Sequence, residues 1–190
     1  PEPTGYRDTS VVVRQAGSSD GSCSVLPGCA TRKYHSSRRD AFKPINQEPI
    51  AHVKIGPDGP SIEMGDAVGF DARPEAISPM MFDESTRIAQ FIADAHLHPD
   101  LVQAAIDADY DALLFHGTGL GHLPIADPQE DSPENTRLRI MLADHCTAGG
   151  IVVVVTQTIH GPIHMDVYDK GRDQQEMGII GHGSLCPPSS

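Results

Sequence analysis

Large aromatic residues are scarce in this chain. Its 190 residues include no Trp, five Phe and four Tyr. A core must therefore rest mainly on Val, Ile, Leu and Ala, in one large domain or two small ones. The longest strongly apolar run, Ile151–Val155, is far too short to cross a bilayer, so we expect no membrane span.

Signals for targeting and for disulfide bonding are also lacking. Residues 1–4 bring neither a basic segment nor an apolar run, so no targeting segment is predicted. Four cysteines over this length do not resemble a disulfide scaffold. Cys23 and Cys29 lack the spacing of a zinc finger, and Cys146 falls in a predicted helix. These features predict a protein of the reducing cytoplasm.

Positive charge is limited as well. The 14 Lys and Arg face 26 Asp and Glu, which gives a formal charge of −12, and only four residues are lysine. Since a nucleic-acid backbone attracts Lys and Arg, this balance argues against extensive nucleic-acid binding, and no direct DNA binding is expected. An acidic, lysine-poor chain also suits solubility in strong salt. One basic cluster stands out, because residues 32–43 hold five Lys or Arg against Asp40.

The first third of the chain predicts short strands. The β-branched segment Ser10–Arg14 predicts a buried strand, Cys23–Leu26 a weaker one, and Ala51–Ile55 a third. From Asp58 to Glu84, Gly, Pro and Ser recur, and seven acidic residues face the single base Arg73. We interpret this stretch as a linker or a surface excursion between two lobes.

The rest of the chain alternates strands and helices. Apolar runs predict strands at Ile88–Ile92, Ala112–Phe115 and Ile151–Val155. Helices are predicted over Pro99–Asp109 and from Ser132 to Gly149, with proline near the start of each. A strand–helix–strand–helix–strand order indicates a parallel sheet covered on both faces, with right-handed crossovers.

Histidines follow each of these predicted strands. Functional loops in parallel sheets gather beyond the carboxyl ends of the strands, so we expect this edge to carry the functional residues. Six of the ten histidines fall there: His96, His98, His116, His122, His160 and His164.

Metal binding at this edge is a minor hypothesis. His160 and His164 have the spacing of a zinc-binding helix, but Gly161 and Pro162 between them argue against a helix, and no Glu follows the first histidine as in metalloproteases. Hydrogen bonding in a loop is the better interpretation, and a histidine zinc site is kept only as an alternative.

The segment Gly117–Gly121 follows a strand and could be a phosphate loop. Its third glycine, however, comes one residue too early for the dinucleotide fingerprint, and His122-Leu-Pro124 does not open a helix. We predict a tight glycine turn that leaves a buried strand.

Lys33 is the lysine of interest in the basic cluster. Burial, or the adjacent charge of Arg32, could lower the pKa of Lys33 and make it a proton acceptor. Most single lysines are solvated surface groups, so the catalytic interpretation of Lys33 is the weaker one.

Five stretches, in order along the chain, resemble the D subunits of archaeal glutamyl-tRNA(Gln) amidotransferases, which belong to the L-asparaginase family. The first is the basic cluster and its continuation, Arg32–Asn46. Tyr110–Pro124 is similar to the family's strand and glycine turn, and Gly150–Thr158 to its next strand. Val167–Arg172 and Gly178–Ile180 are similar to the segment that follows.

The resemblance implies a threonine that attacks a side-chain amide, aided by a Thr-Asp pair and a lysine. Ammonia leaves and the acyl-enzyme is hydrolysed; in the amidotransferase, a partner subunit that binds tRNA uses the ammonia to amidate glutamyl-tRNA(Gln). ATP and magnesium are expected at that partner, and no cofactor or metal in this chain. The resemblance also implies close homodimers, in which the second lobe borders the neighbour's active site.

Departures from the family pattern limit what carries over. The sequence contains neither Thr-Gly-Gly-Thr nor Gly-Thr-Asp-Thr, and Lys33 does not match the family's catalytic lysine. His116-Gly-Thr118 cannot replace the missing nucleophile loop, because Gly119 stands where that loop needs Asp. Residues 181–190 replace the family's last helix, and His96-Leu-His98 departs from the pattern. No residue is therefore assigned a catalytic or substrate-binding role, and the chain is expected to be an incomplete, inactive piece.

These observations predict an α/β fold of the asparaginase type. Residues 1–57 would end the first lobe, 58–86 would form the acidic linker, and 87–190 would form a smaller, truncated flavodoxin-like lobe. The predicted function is release of ammonia from glutamine or asparagine for glutamyl-tRNA(Gln) amidation. Alternatives are a free L-asparaginase and a non-catalytic lobe that only dimerises or docks.

Overall fold

The computed structural model describes residues 10–14, 21–65 and 83–181. It divides into two compact units between Met80 and Met81. No helix in these three ranges is long and apolar enough to cross a membrane.

Antiparallel pairing builds the first unit. Its main sheet has the order β1-β2-β5-β6, with β1 at Ser10–Arg14, β2 at Ser22–Pro27, β5 at Ala51–Gly56 and β6 at Gly59–Met64. A 3-10 turn follows β2 at Gly28–Ala30, and β3 (Thr31–Lys33) then pairs with β4 (Phe42–Pro44) in a separate two-stranded sheet. A small set of residues is buried here: Leu26, Ala30, Ala41, Ile45, Ile50 and Ala51. The strands predicted at Ser10, Cys23 and Ala51 are confirmed.

Gly59–Met64, which lie in the stretch interpreted as a linker or a surface excursion, form strand β6. Gly56 pairs with Gly59 across a two-residue turn, and Gly59 has a φ of +107°, which glycine adopts without strain. Gly-Pro-Asp-Gly therefore closes a hairpin. Pro60 is tolerated because β6 is an edge strand. The part of the predicted linker at 66–82 lies outside the described residues.

The second unit is an α/β unit with four parallel strands. Its elements in chain order are β7 (Ile88–Ile92), α1 (Pro99–Asp107), β8 (Ala112–Gly117), α2 (Pro133–Thr147), β9 (Ile151–Thr156), α3 (Asp169–Glu176) and β10 (Ile180–Gly181). The strands lie in the order β10-β9-β8-β7. The predicted parallel strand–helix–strand–helix–strand arrangement is confirmed, and the α/β fold with it.

Only one face of this sheet is covered by helices in the described part of the chain, so the prediction of two covered faces is wrong. Val102 of α1 and Leu138 of α2 share one core cluster with Leu113, Phe115 and other inward-facing strand residues. Because the strands follow one another in sequence order, right-handed crossovers return on the same side each time.

The opposite face, called the open face below, carries the alternate residues of each strand. Four isoleucines on it are about half exposed: Ile88 51%, Ile92 58%, Ile151 48% and Ile180 51%. The strand register also places Leu114 and Val153 there, and none of these residues is charged. The wholly apolar sequence of β9 predicted burial on both faces, but apolar composition alone does not show which faces are covered.

Helix α3 was not predicted, because its sequence Asp-Lys-Gly-Arg-Asp-Gln-Gln-Glu has no apolar periodicity. It packs instead through its two buried residues, Gly171 and Gln174. A Cβ on Gly171 would lie 2.1 Å from the carbonyl oxygen of Met165, so only glycine permits this close approach.

Candidate functional site

The loop that leaves β8 is a tight glycine turn, as predicted. The amides of Gly121 and His122 both donate to the Thr118 carbonyl oxygen, at 2.9 and 3.0 Å, and Thr118 N donates to the His122 oxygen at 2.9 Å. Gly119 and Gly121 have φ values of +50° and +98°. The amides of Gly121 and His122 therefore already have hydrogen-bond partners within the turn. This favours a structural turn over a phosphate loop, whose amides would be free to bind a phosphate.

Gln174 of α3 holds this turn against the core. The side chain of Gln174 is fully buried; its Oε1 accepts from Leu123 N at 2.8 Å, and its Nε2 donates to the Gly121 oxygen at 3.0 Å. Thr156, at the end of β9, donates through Oγ1 to the Gly119 oxygen at 2.5 Å. The turn is thus fixed from two neighbouring elements.

Gln157 ties together the ends of β7 and β8. Its Nε2 donates to the carbonyl oxygens of Ala93 at 2.8 Å and His116 at 2.7 Å, and its backbone N donates to the Gly117 oxygen at 2.9 Å. The carboxyl edge of the sheet is therefore a hydrogen-bonded platform.

A pocket of about 470 Å³ opens on this edge and is called the carboxyl-edge pocket below. Its lining includes a carboxylate, a hydroxyl, an imidazole, an amide and an ammonium group, from Asp94, Thr118, His122, Asn135 and Lys170. Two of these groups are fixed by backbone contacts: Asp94 accepts from His96 N at 2.8 Å, and Asn135 donates to the Ala126 oxygen at 2.9 Å. Asp94 and Lys170 give the pocket both signs of charge.

His122 is half-buried in the pocket, and this position changes its acid–base behaviour. Burial lowers the pKa of His122 below its ordinary value of 6.5, and the positive charge of Lys170 lowers it further. The ring packs edge-on against Tyr168, with centroids 5.5 Å apart, and its buried Nε2 has no hydrogen-bond partner among the described residues. A neutral imidazole here can donate or accept a hydrogen bond with a small polar molecule.

The six histidines expected at this edge do not form one cluster. Among them, His122 lines the carboxyl-edge pocket, whereas His164 lines a second pocket beside β10. His98 accepts from Asp100 N and so caps α1, and His116 lies within β8, with its Nε2 3.4 Å from Gln90 Oε1 on the open face. In the described ranges, no three His, Cys, Asp or Glu side chains are grouped to hold a metal ion. The zinc alternative therefore gains no support from His160 and His164.

Lys33 lies in β3 of the first unit. It is exposed and pairs across the hairpin with Phe42. Arg32, its neighbour in the strand, points to the opposite face, so the charge of Arg32 is not aimed at Lys33. Neither condition for a catalytic lysine is met, and the interpretation of Lys33 as a solvated surface group stands.

Sequence reasoning missed most of the polar groups at the pocket. Gln157 stands directly after the apolar strand β9, where such residues meet the sheet edge, so its position was a usable signal. Tyr168 and Lys170 fall in Val167–Arg172, which resembles a family segment but assigned no role to either residue. Gln174 lies in α3, which has no hydrophobic pattern, and Asp94 resembles any loop aspartate, so no local signal distinguishes these two.

Comparison with known proteins identifies the family that has this architecture. Residues 87–190 match the model of the glutaminase/asparaginase C-terminal domain. The fold matches an L-asparaginase I from Vibrio cholerae with a TM-score of 0.67 at 21% identity, over 86% of this chain and 45% of that one. The chain therefore belongs to the glutaminase/asparaginase family.

Within the family, the chain is similar to one component of a particular enzyme, the D subunit of glutamyl-tRNA(Gln) amidotransferase. It is 30% identical over 89% of its length to the D subunit from Methanococcus vannielii. It is 32% identical over 95% of its length to the D subunit from Methanosarcina mazei. The chain spans 37% and 39% of the lengths of these two relatives.

Proposed function

We propose that this chain is part of the amide-hydrolysing D-type subunit of a glutamyl-tRNA(Gln) amidotransferase. The observation that carries the proposal is the similarity to such D subunits over about nine tenths of the chain, covering both units. A match to the domain model alone, over residues 87–190, would fit any member of the family equally well.

The reaction proposed for the whole subunit is hydrolysis of a side-chain amide of glutamine or asparagine. A threonine hydroxyl attacks the amide carbon, ammonia leaves with the proton, and water releases the acid from the acyl-enzyme. This sequence has neither Thr-Gly-Gly-Thr nor Gly-Thr-Asp-Thr. The chain by itself is therefore proposed to be inactive.

The carboxyl-edge pocket is proposed as the part of the chain that faces the amino acid. A free amino acid carries one ammonium and one carboxylate group, and the pocket offers the carboxylate of Asp94 and the ammonium of Lys170. Neutral His122 adds a hydrogen-bonding group in a poorly solvated position.

Assembly with other chains completes the proposal. The ammonia passes to a partner subunit that binds tRNA, with ATP and magnesium used there. The complex works in the cytoplasm, where charged tRNA is made, and the subunit forms homodimers.

Ammonia release tests whether the chain alone hydrolyses the amide. The purified 190-residue chain is incubated with L-glutamine or L-asparagine, and ammonia is measured in a coupled assay. We expect no release above the blank. Saturable turnover by the chain alone would contradict the proposal and favour a self-sufficient amidohydrolase such as a free L-asparaginase.

Assembly is tested with the tRNA-binding partner subunit from Methanosarcina mazei. We expect the chain and that subunit to elute together on size exclusion at micromolar concentrations. A chain that stays separate at all concentrations, while dimerising with itself, would instead support the non-catalytic lobe.

A further inference from the structure

The carboxyl-edge pocket has two walls that come from different strand ends. The loop after β7 supplies one of them, at Ala93, Asp94 and Ala95, called the Asp94 wall below. The glycine turn after β8 supplies the other, which carries His122. The shape of the pocket therefore depends on what holds each wall in place.

The glycine-turn wall is held by residues at the end of β9 and in α3. Gln174 bonds with both Leu123 and Gly121, and the hydroxyl of Thr156 donates to the turn as well. None of these three bonds uses the side chain of Gln157. A change at that side chain is therefore expected to leave this wall in place.

The Asp94 wall is joined to the sheet through Gln157. The side-chain Nε2 of Gln157 has two N–H groups, and it donates to the Ala93 oxygen at 2.8 Å and to the His116 oxygen at 2.7 Å. The backbone N of Ala93 donates to the same His116 oxygen at 3.0 Å. One side-chain amide thus fixes the first residue of the wall against the end of β8.

The Asp94 wall has a defined shape of its own. Asp94 Oδ1 accepts from His96 N at 2.8 Å, and the Asp94 backbone oxygen accepts from Leu97 N at 3.3 Å. The second carboxylate oxygen, Oδ2, has no hydrogen-bond donor among the described residues, so it is left for a ligand. Because these bonds make the loop a unit, a shift of Ala93 displaces the Asp94 carboxylate with it.

We propose that Gln157 is a positioning residue that holds the Asp94 carboxylate where it binds the α-ammonium group of the amino acid. Charge-assisted hydrogen bonds between ammonium and carboxylate are strong but need close contact, so a displacement of about 1 Å weakens them. Gln157 is exposed, so its role lies in its two bonds and not in core packing. The inference rests on the proposed function of the pocket and adds which group of the ligand the Asp94 wall selects.

The test compares two ligands that differ in the α-ammonium group: L-glutamine, and glutaramate, in which hydrogen replaces that group. Saturation-transfer NMR of the ligands gives their Kd values for the full 190-residue chain and for Gln157→Met. Methionine keeps the length of the side chain and removes both donors. We expect the Kd of L-glutamine to rise about five-fold or more, and that of glutaramate to change less than about two-fold, because only L-glutamine uses Asp94.

A double variant tests whether Gln157 acts through Asp94. Asp94→Asn alone should raise the Kd of L-glutamine about ten-fold, because it removes the charge that attracts the ammonium group. Adding Gln157→Met to Asp94→Asn should raise this Kd by less than a further factor of about two, since the contact is already lost. Fully additive losses would overturn the proposal, because Gln157 would then act on another part of the pocket.

Two further variants separate this role from a general loss of structure. Gln175→Met is the matched control, because Gln175 is also exposed and its side chain bonds with Asp166, which does not line the pocket; both Kd values should change less than about two-fold. Should circular dichroism show that Gln157→Met is unfolded, Gln157→Asn replaces it. Its amide is one methylene shorter and cannot reach both oxygens, so the same pattern of Kd changes is expected.

The possible failures are distinguishable. If Gln157→Met weakens both ligands equally, or neither, the positioning role is overturned while the proposed function stands. If the parent chain binds both ligands equally tightly, Asp94 does not bind the ammonium group and the positioning role is again overturned alone. A parent chain that binds neither ligand would refute the proposed role of the pocket, and the role of Gln157 with it.

Discussion

The two units of this protein differ in charge and in how their strands pair. The described residues of the first unit carry seven basic and four acidic residues, whereas residues 83–181 carry five basic and sixteen acidic residues. The first unit uses antiparallel strands, of which β5 and β6 are joined by a two-residue turn, and the second joins parallel strands through helices. The pairing of β5 with β6 depends on that turn. Parallel pairing makes the second unit dependent on contacts between residues distant in sequence, such as Gln174 with Leu123.

The largest expected effect tests that dependence on distant contacts. Gln174→Leu leaves Leu123 N and the Gly121 oxygen buried without partners, at a cost of about 1–3 kcal/mol for each group. We expect the free energy of unfolding of the second unit to fall by about 2–6 kcal/mol. Residue-resolved hydrogen exchange measures it, reading Leu113 and Val152 for the second unit and Val25 for the first.

The adjacent Gln175→Leu is the matched control. The exposed Gln175 side chain has one hydrogen-bond partner among the described residues, the exposed Asp166, so the change should stay within about 0.5 kcal/mol. Equal losses from Gln174→Leu and Gln175→Leu would show that the turn after β8 is not held by Gln174.

The next largest effect is the difference in stability between alanine variants of two glycines that end strands, one in each unit. A Cβ on Gly117 would lie 2.6 Å from the carbonyl carbon of Gly121, whereas a Cβ on Gly56 would meet nothing closer than 3.9 Å. Gly117→Ala should destabilise by about 1–3 kcal/mol through overpacking, and Gly56→Ala should be neutral or slightly stabilising. Thermal melts of the two variants measure this. Equal melting temperatures would contradict the close packing of the glycine turn.

A smaller effect is a difference between the two units in how their stability depends on pH. The folded-state pKa of His122 is depressed, so its contribution is present above the unfolded value of 6.5 and is lost as pH falls through the folded pKa. The pKa of Asp40, also depressed, gives stability that is present above 3.8 and lost at lower pH. On acidification the second unit should weaken first.

Hydrogen exchange measured from pH 7 downwards shows which of the two units loses stability first. His122→Gln should reduce the loss of stability of the second unit below pH 6.5 and leave the first unit unchanged. If the first unit weakens at the higher pH, or if the His122 variant keeps the full slope, the burial assigned to this imidazole is wrong.

The smallest effect concerns salt. The net charge of −11 on residues 83–181 produces self-repulsion, which salt screens as the Debye length falls from about 10 Å at 0.1 M to about 3 Å at 1 M. Added KCl should raise the stability of the second unit by about 1 kcal/mol or less and leave the first nearly unchanged. Lower stability or solubility in KCl would also contradict the salt-tolerance hypothesis.

Elements with an apolar pattern were predictable from the sequence, and those held by turns or polar contacts were not. Strand β7 was predicted with its observed bounds, and β9 differs by one residue. Strand β6 is exposed over five of its six residues, so its only signal was the turn before it. The open face could not be foreseen, because it follows from strand order and not from composition.

The candidate site was only partly predictable for a similar reason. The predicted parallel strands indicated that the site lies at the carboxyl edge of the sheet, and the glycine turn was correctly predicted. The groups that hold and line it, such as Gln174 and Lys170, lie in a helix without hydrophobic periodicity, more than 45 residues beyond the turn. Only folding brings them together.

The central claim is that the carboxyl-edge pocket faces the amino acid whose amide is cleaved. It is tested most directly by ¹H–¹⁵N spectra of the chain during addition of L-glutamine. We predict saturable millimolar binding, with shifts confined to residues 117–126 and the start of α3, and weakened by Lys170→Gln. Unchanged spectra, or equal shifts with D-glutamine and across both units, would contradict the account.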